Sequence, residues 1–246
     1  MRRSCAIAAA DVFGPVHGWA VRDALERRLS YRFVMSSASP PVPALLLLSG
    51  GIESAALLYQ LRQQAAPAHA LWVDYGQRNA RRECAAARYL AADCGTPLQT
   101  MDLSGLRSNF SRSSEWVSHV PLPQRNLAVL ALAVNLAQHL GMRRILLALN
   151  RDDQEHGPGS QPEFLDAFTK LAASLVPGLH VAAPLHDLEK CEVIRSTQST
   201  GIDWGRTWSC LLDRPRHCGR CPQCEARRRA FAAAGVTDPT RYLDTG

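Results

Sequence analysis

Short apolar runs alternate with helix-length amphipathic segments along this chain, and no other feature of the sequence constrains its fold as strongly. The apolar runs predict strands over residues 44–48, 70–73, 97–103, 145–150 and 180–183. The amphipathic segments predict helices near residues 53–65, 80–92, 125–140, 162–176 and 188–200. Strands that are apolar on both faces and separated by helices form parallel sheets through right-handed crossovers. We therefore predict a doubly wound, mostly parallel α/β fold of the Rossmann type.

The composition is that of an ordinary folded protein. Hydrophobic residues make up 46% of the chain and charged residues 20%, which excludes a disordered or collagen-like protein. The longest aliphatic stretch, residues 44–48, is far shorter than the ~20 residues of a membrane helix. Asp11 interrupts the first apolar run before it reaches the ~7 residues of a signal-peptide core. We expect a cytoplasmic protein without a membrane partner.

The chain divides into three predicted parts. Residues 1–43 form an N-terminal extension that ends in a Ser/Pro-rich linker, which cannot continue a helix. An α/β domain follows over residues 44–203, and a metal-binding segment packs on it over residues 204–246. Met35 stands at the start of the linker, so an alternative is that translation starts at Met35 and that residues 1–34 are not translated.

A glycine-bearing turn, Ser49-Gly50-Gly51-Ile52-Glu53-Ser54, joins the first predicted strand to the first helix. Glycines let the backbone approach an anion, and the free amides at a helix N-terminus complement phosphate oxygens. The turn lacks the lysine of a Walker A loop. It resembles instead the SGGxDS pyrophosphate loop of the ATP pyrophosphatases. This resemblance implies a fold of the adenine-nucleotide α-hydrolase type and cleavage of ATP to AMP and pyrophosphate.

The same resemblance implies a series of ATP contacts that runs from the strand into the helix. These contacts are predicted at Leu48, Ser49, Gly50, Gly51, Ile52, Glu53, Ser54, Ala55, Ala56, Leu57 and Leu58. Glu53 stands where these proteins usually carry aspartate, and its extra methylene moves the carboxylate outward by about 1.5 Å. Mg²⁺ tolerates little displacement of its ligands. We therefore expect Mg²⁺ near Glu53 only if the loop adjusts.

Four of the eight cysteines lie close together near the C-terminus, with the spacing C-x7-C-x2-C-x2-C. This spacing fits a tetrahedral structural Zn²⁺ site, and in a cytoplasmic protein a metal is favoured over disulfides. The predicted ligands are Cys210, Cys218, Cys221 and Cys224. Four thiolates around Zn²⁺ carry a charge of about −2, so we interpret the arginines between residues 204 and 230 as compensation for it. The net charge of +6 is therefore weak evidence for a nucleic-acid partner.

Further motifs make the chain similar to the 7-cyano-7-deazaguanine synthase family, QueC or ExsB, from about residue 45 to residue 242. The matching features, in chain order, are the glycine-bearing loop, Asp74-Tyr75-Gly76-Gln77, the pair Arg125-Asn126, a PL-x-x-L-x-K segment that ends at Lys190, and the cysteine cluster led by Thr207-Trp208-Ser209. Asp74 and Gln77 follow the second strand, at the sheet edge where doubly wound folds bind ligands. We predict that both contribute to the ATP site.

The family resemblance implies a reaction and its reagents. Family members convert 7-carboxy-7-deazaguanine to the nitrile with ammonia and two molecules of ATP, through adenylation, amide formation and dehydration. Expelling AMP and pyrophosphate from crowded anions requires charge neutralisation. We predict Arg125, Lys190 and, through Mg²⁺, Glu53 for this work. The expected partners are a small carboxylate and ammonia, nucleic acid is not required, and a homodimer is compatible with the sequence.

One segment departs from the family pattern. Family members usually carry a GYPDCR-like stretch after the fourth strand. In this chain, its tyrosine, aspartate and arginine are replaced by Gly157, Gly159 and Gln161. Asn79 also replaces the usual histidine after Gln-Arg. A site that hydrogen-bonds its ligand discriminates strongly, so these losses predict a changed substrate preference with retained ATP chemistry. The nearby side chains that offer compensation are Glu155, His156 and Glu163.

Three hypotheses therefore remain open from the sequence. The first is a nitrile-forming synthase with a rebuilt substrate pocket. The second is a paralogue that uses ATP to activate a different carboxylate or amide. The third is a zinc-stabilised nucleotide-binding module without turnover, which the replacement of aspartate by Glu53 and the arginine-rich C-terminal region favour. Release of pyrophosphate from ATP separates the two enzymes from the binding module.

Overall fold

The computed structural model describes residues 42–110, 122 and 124–243, apart from the side chains of Phe110, Glu155 and His156. Residues 1–41 of the predicted N-terminal extension, including the alternative start at Met35, lie outside the described residues, as do residues 244–246. The predicted boundary between residues 203 and 204 stays a prediction.

In the described part of the chain, five parallel strands form one sheet, as the apolar runs predicted. They are β1 (Ala44–Leu47), β2 (Ala68–Asp74), β3 (Leu98–Asp102), β4 (Arg144–Leu146) and β5 (His180–Ala182). Their spatial order is β3-β2-β1-β4-β5. The order reverses between β1 and β4, and doubly wound folds bind ligands in the crevice outside the carboxyl ends of the strands at such a reversal.

Helices flank the strands in an alternating α/β order. They are α1 (Ile52–Gln63), α2 (Ala80–Asp93), α3 (Arg107–Phe110), α4 (Arg125–His139), α5 (Pro162–Leu175), α6 (Lys190–Ser196) and α7 (Pro222–Ala234). Short 3-10 turns include Arg151–His156 and Pro158–Ser160. Among the described residues, no helix combines the length and apolar character that a membrane span requires.

The strand side chains pack into two hydrophobic layers because they alternate between the faces of the sheet. Leu45 and Leu47 pack with apolar residues of α4 and α5, whereas Ala44 and Leu46 pack with residues of α1, α2, α6 and α7. Leu45 and Leu46 are 0% exposed, so each contributes about 1.5–3 kcal/mol of burial energy. This burial on both faces explains why β1 is a continuous apolar run.

Two predicted elements are shorter than expected. The pattern predicted a strand up to residue 150, but β4 ends at Leu146. The chain then turns because Asn150 and Asp153 cap the 3-10 turn reciprocally, with each side chain accepting the other's backbone N–H at 3.0 Å. Helix α6 ends at Ser196, and a separate 3-10 turn, Gln198–Thr200, takes the place of its predicted last turn.

The sequence pattern did not predict α7, although Pro222 at its first turn and Gly235 at its C-cap with φ +71° mark its ends. Its central Arg227 is 0% exposed and interrupts the apolar stripe. The Arg227 guanidinium donates to Asp238 Oδ1 at 3.1 Å, Thr207 Oγ1 at 2.7 Å and the Trp204 carbonyl at 2.8 Å. Arg227 therefore fixes the C-terminal segment, a role that differs from the charge compensation expected for the arginines of this region.

Candidate functional site

The loop between β1 and α1 has the backbone geometry of an anion-binding turn. Gly50 adopts φ +81°, and a Cβ at this position would lie 2.8 Å from the Glu83 carbonyl oxygen and 2.9 Å from the Ala86 Cβ. Glycine is therefore required at position 50, because helix α2 packs directly against the loop. Gly51 is the N-cap of α1 and has no side chain to cap its first amides. Those amides lie at the positive end of the helix dipole.

The structure brings Glu53 and Lys190 together at the start of α1. The Lys190 ammonium forms an ion pair with Glu53 Oε1, and the Asn150 side-chain amide donates to the same oxygen at 3.0 Å. The side chains of Lys190 and Glu53 are only 12% and 13% exposed. These contacts join the start of α1, which follows β1, to Asn150 after β4 and to Lys190 after β5, across the reversal in strand order. Asn150 was missed as a site residue because the pattern placed it inside a strand.

The surrounding carboxylates keep Lys190 cationic. Burial of the ammonium lowers the pKa of Lys190, but Glu53, Asp153 and Asp152 together outweigh this effect and raise the pKa above its ordinary value. The contribution of this charge to the stability of the folded state is therefore fully present at neutral pH. It is lost only when the pH rises through the raised pKa of Lys190. A cation beside the glycine-bearing loop of residues 49–54, the predicted phosphate loop, could neutralise phosphate oxygens there.

One carboxylate oxygen near the loop is of the type that binds a hard divalent cation. The hydrogen bonds described for Glu53 go to Oε1, whereas Oε2 lies 3.9 Å from the position that a Cβ on Gly51 would occupy. One carboxylate oxygen of Glu53 thus faces the loop, and Mg²⁺ prefers such oxygen ligands. Mg²⁺ binding through Glu53 stays a prediction. The ion pair shows that the Glu53 carboxylate also neutralises the positive charge of Lys190.

The turn after β2 is held by its own side chains. Asp74 Oδ1 accepts the Gly76 N–H at 2.8 Å, and Gln77 Oε1 accepts the Tyr75 N–H at 2.9 Å. The Gln77 Nε2 group donates to the Val73 carbonyl at 3.2 Å, and the Gln77 side chain is buried. Both residues lie at the carboxyl edge, as predicted. Their contact with ATP stays a prediction, and the geometry assigns Gln77 the work of shaping the turn.

Arg125 begins helix α4 and lines a small pocket. The other lining residues are Gln124, Asn126, Gly157, Pro158, Gly159 and Ser160. The Asn126 side-chain amide donates to the Gly159 carbonyl at 2.9 Å, so the start of α4 is tied to the segment that departs from the family pattern. Arg125 supplies the positive charge of this lining, which suits an anionic group on a ligand.

The segment that departs from the family pattern is stabilised by hydrogen bonds from its own polar side chains and from His186. Gln161 Nε2 donates to the Gln154 carbonyl at 2.5 Å, and the Gln154 side-chain amide donates to the His186 carbonyl at 3.1 Å. His186 Nε2 lies 3.1 Å from the Ser160 carbonyl. Gln161 is thus engaged within the segment. Of the side chains expected to compensate, Glu163 is exposed on α5, and those of Glu155 and His156 lie outside the described part.

The four predicted metal ligands meet in one cluster. The Sγ atoms of Cys210, Cys218, Cys221 and Cys224 all lie within 4.8 Å of one another. Backbone amides point at the sulfurs, with the Leu212 and Cys218 N–H groups 3.4 Å from Cys210 Sγ. Hydrogen bonds among the thiols of Cys210, Cys221 and Cys224 lower the pKa of Cys221 and raise the pKa values of Cys210 and Cys224, because the packed sulfurs share protons. The cluster can hold a tetrahedral metal ion, and Zn²⁺ is the ion we predict.

Replacing Cys221 with serine is expected to remove the metal and lower stability by about 3 kcal/mol or more, because structural zinc contributes folding energy. For a chain of this size, that loss lowers the melting temperature by about 6–12 °C. Cys84→Ser, outside the cluster on α2, is the matched control. Metal analysis and thermal melting measure both variants. A metal-free Cys221→Ser protein with the same melting temperature as the native protein would reject the assignment of a structural metal site.

The fold and the site together define a doubly wound α/β protein with a glycine-bearing loop at the reversal in strand order and a cluster of four cysteines that could hold a metal ion. Residues 43–235 match the family described as "Queuosine biosynthesis protein QueC". The chain belongs to the QueC family, which confirms the resemblance that its motifs indicated.

Relatives match over nearly their whole length. A protein named 7-cyano-7-deazaguanine synthase from Thiobacillus denitrificans is 39% identical over 220 residues, which cover 81% of this chain and 97% of the relative. One named 7-cyano-7-deazaguanine synthase 1, from Sulfurisphaera tokodaii, is 31% identical over 202 residues, which cover 82% and 98%. These relatives are synthases, so the family supports an enzyme.

Solved structures support the fold. The structure of NMN synthetase from Francisella tularensis superposes with a TM-score of 0.52 and 16% sequence identity, covering 87% of each chain. At this identity the likeness shows a shared fold alone. It agrees with the doubly wound parallel sheet that the strand order defines.

Proposed function

We propose that this chain is an ATP-dependent ligase that adenylates a carboxylate, forms an amide with ammonia and dehydrates the amide to a nitrile. The observation that carries the proposal is the ion pair of Lys190, whose side chain is 12% exposed, with Glu53 at the phosphate loop, although the two residues are 137 positions apart in the chain. The relatives named 7-cyano-7-deazaguanine synthase indicate 7-carboxy-7-deazaguanine as the first substrate to test.

The chain's own residues have separate tasks in this proposal. The amides after Gly51 bind the phosphates of ATP, and Lys190 neutralises the charge that develops as pyrophosphate departs. Arg125, at the pocket lined by Gly157 and Gly159, orients the substrate carboxylate toward the loop. Mg²⁺, when held by Glu53, would supply further neutralisation of phosphate oxygens.

The reaction balances without a covalent enzyme intermediate. A carboxylate oxygen attacks the α-phosphorus of ATP, and pyrophosphate leaves with the electrons of the broken P–O bond. Ammonia then attacks the activated carbonyl carbon, and AMP leaves with the former carboxylate oxygen while one proton is released. A second ATP activates the amide oxygen in the same way, again releasing pyrophosphate. AMP then leaves with the amide oxygen, and both amide protons are lost, which forms the nitrile.

A second candidate function, activation of a different carboxylate by the same ATP chemistry, is favoured by the pocket lining. Gly157 and Gly159 offer no side-chain polar groups to a ligand, and Gln161 is engaged with the Gln154 carbonyl. Losing a buried hydrogen-bond partner costs about 1–3 kcal/mol, so two losses weaken discrimination by about two to four orders of magnitude.

We therefore expect only weak stimulation of pyrophosphate release by 7-carboxy-7-deazaguanine, measured as kcat/KM and compared with the Thiobacillus denitrificans relative under the same conditions. Mass analysis identifies amide and nitrile products, and other aromatic carboxylates are tested in parallel with ammonium present. Stimulation equal to that of the relative, with a nitrile product, would show that the altered segment does not change the substrate. Absence of pyrophosphate release with every carboxylate would contradict the ligase proposal.

A further inference from the structure

The cysteine segment, the stretch from Thr207 to Cys224 that carries the four clustered cysteines, contacts the phosphate loop directly. The Trp208 backbone N–H donates to the Gly50 carbonyl at 2.8 Å, and Trp208 lies two residues before the metal ligand Cys210. Gly50 is also pressed against α2, because a Cβ on it would lie 2.8 Å from the Glu83 carbonyl oxygen and 3.0 Å from the Ala87 nitrogen. The loop is therefore held between α2 on one side and the cysteine segment on the other.

A buried amide joins these two supports to each other. Asn79, the N-cap residue of α2, is 4% exposed. Its Nδ2 group donates one hydrogen bond to Glu83 Oε1 at 3.0 Å and another to the Cys210 carbonyl at 2.8 Å. The second oxygen of Glu83, Oε2, accepts the Gln77 amide at 3.0 Å. Both N–H donors of Asn79 are used, and each satisfies an acceptor on a different element.

These contacts close a ring around the loop. The ring runs from Gly50 to Trp208 by a hydrogen bond, along the backbone to Cys210, to Asn79 and then Glu83 by hydrogen bonds, and back to Gly50 by packing. We infer that Asn79 is a positioning residue, which transmits the rigidity of the metal-binding segment to the phosphate loop. The effect on nucleotide binding rests on the proposed function, whereas the effect on loop order does not.

Asparagine is suited to this position because of its donor count. Its amide nitrogen carries two N–H groups, which point at two separate oxygens. Aspartate has nearly the same shape but no donor, and it would place a second carboxylate beside Glu83. Asn79→Asp therefore breaks both hydrogen bonds at nearly constant volume, and each acceptor left unsatisfied in a buried site is costly.

The test compares Asn79→Asp with two other variants on α2. Glu83→Gln leaves one acceptor oxygen for two amide donors, so it disturbs the ring without touching the cysteine segment. Arg81→Ala is the matched control, since Arg81 also joins α2 to the cysteine segment, through an exposed pair with Asp213. For each variant we would measure metal content, hydrogen exchange of the peptide that contains Gly50 and Gly51, and the dissociation constant of Mg-ATP.

We expect Asn79→Asp to retain the metal, to accelerate exchange of the loop amides by about tenfold or more and to weaken Mg-ATP binding by a similar factor. Glu83→Gln changes both quantities in the same direction, and Arg81→Ala changes neither. Native exchange and native affinity in a metal-loaded Asn79→Asp protein would overturn the inference. If Asn79→Asp loses its metal, the loop-amide exchange and the Mg-ATP affinity of Glu83→Gln decide whether the inference holds. If the native protein itself fails to bind Mg-ATP, the proposed function fails, and loop exchange alone decides the positioning role.

Discussion

Replacing Lys190 with methionine lowers kcat for pyrophosphate release by about 10²- to 10³-fold, because one preorganised charge is removed from the site where charge develops. The native Lys190 side chain is 12% exposed and its ammonium is held in place by Glu53, so solvent does not substitute for it. Methionine keeps most of the volume of the side chain. Steady-state kinetics with saturating carboxylate and ammonium measure the change.

Two further variants separate catalysis from stability in this experiment. Removing one partner of a buried ion pair leaves the other charge uncompensated, at a cost of about 3 kcal/mol. The double variant Lys190→Met with Glu53→Gln removes both charges and is expected to recover the melting temperature but not kcat. Lys170, the other lysine of the chain, is exposed on α5, and Lys170→Met is the control. Native kcat in Lys190→Met would remove Lys190 from the mechanism.

Gly50→Ala and Gly51→Val are expected to fail in different ways although the residues are adjacent. Gly50 has φ +81°, and an added Cβ meets α2 at 2.8–3.0 Å, so even alanine destabilises the fold by about 1–3 kcal/mol. Gly51 has φ −79°, and its nearest neighbours would lie 3.4–3.9 Å from a Cβ. Gly51→Val therefore folds, but its branched side chain occupies the space that the phosphates need, and Mg-ATP binding falls below detection.

Thermal melting and calorimetric titration with Mg-ATP distinguish these two outcomes. Gly51→Ala is the graded control, since its single methyl group is expected to weaken binding less than valine does. Undiminished Mg-ATP affinity in Gly51→Val would show that the phosphates do not approach Gly51. A Gly50→Ala protein as stable as the native one would contradict the packing of α2 against the loop.

The sequence predicted the elements whose causes are local. The β1 run is apolar throughout because helices cover both sheet faces, and the loop glycines follow it directly, so strand and turn were both evident. The cysteine spacing likewise predicted a cluster, whose Sγ atoms lie within 4.8 Å of one another. Placing Asp74 and Gln77 at the carboxyl edge followed from their position directly after the second strand, and β2 does end at Asp74.

Features that depend on distant partners escaped prediction. Asn150 meets Glu53 across 97 positions, and Asn79 meets Cys210 across 131. Neither contact is indicated by periodicity, because only the tertiary fold brings residues so distant in the chain together. Buried Arg227 is stabilised by Asp238 beyond the end of α7 and by Trp204 and Thr207 before it. Because this charged residue lies on the buried face of α7, the apolar periodicity did not predict the helix.

The most direct measurement follows the oxygen atoms of the substrate carboxylate. The protein is incubated with ATP, ammonium and 7-carboxy-7-deazaguanine, or the best carboxylate found, labelled with ¹⁸O in both carboxylate oxygens. If the chain adenylates the carboxylate, the AMP produced carries one ¹⁸O atom and the pyrophosphate carries none, as mass spectrometry of both products records. Unlabelled AMP, or ADP with labelled phosphate, would contradict adenylation and with it the proposed function.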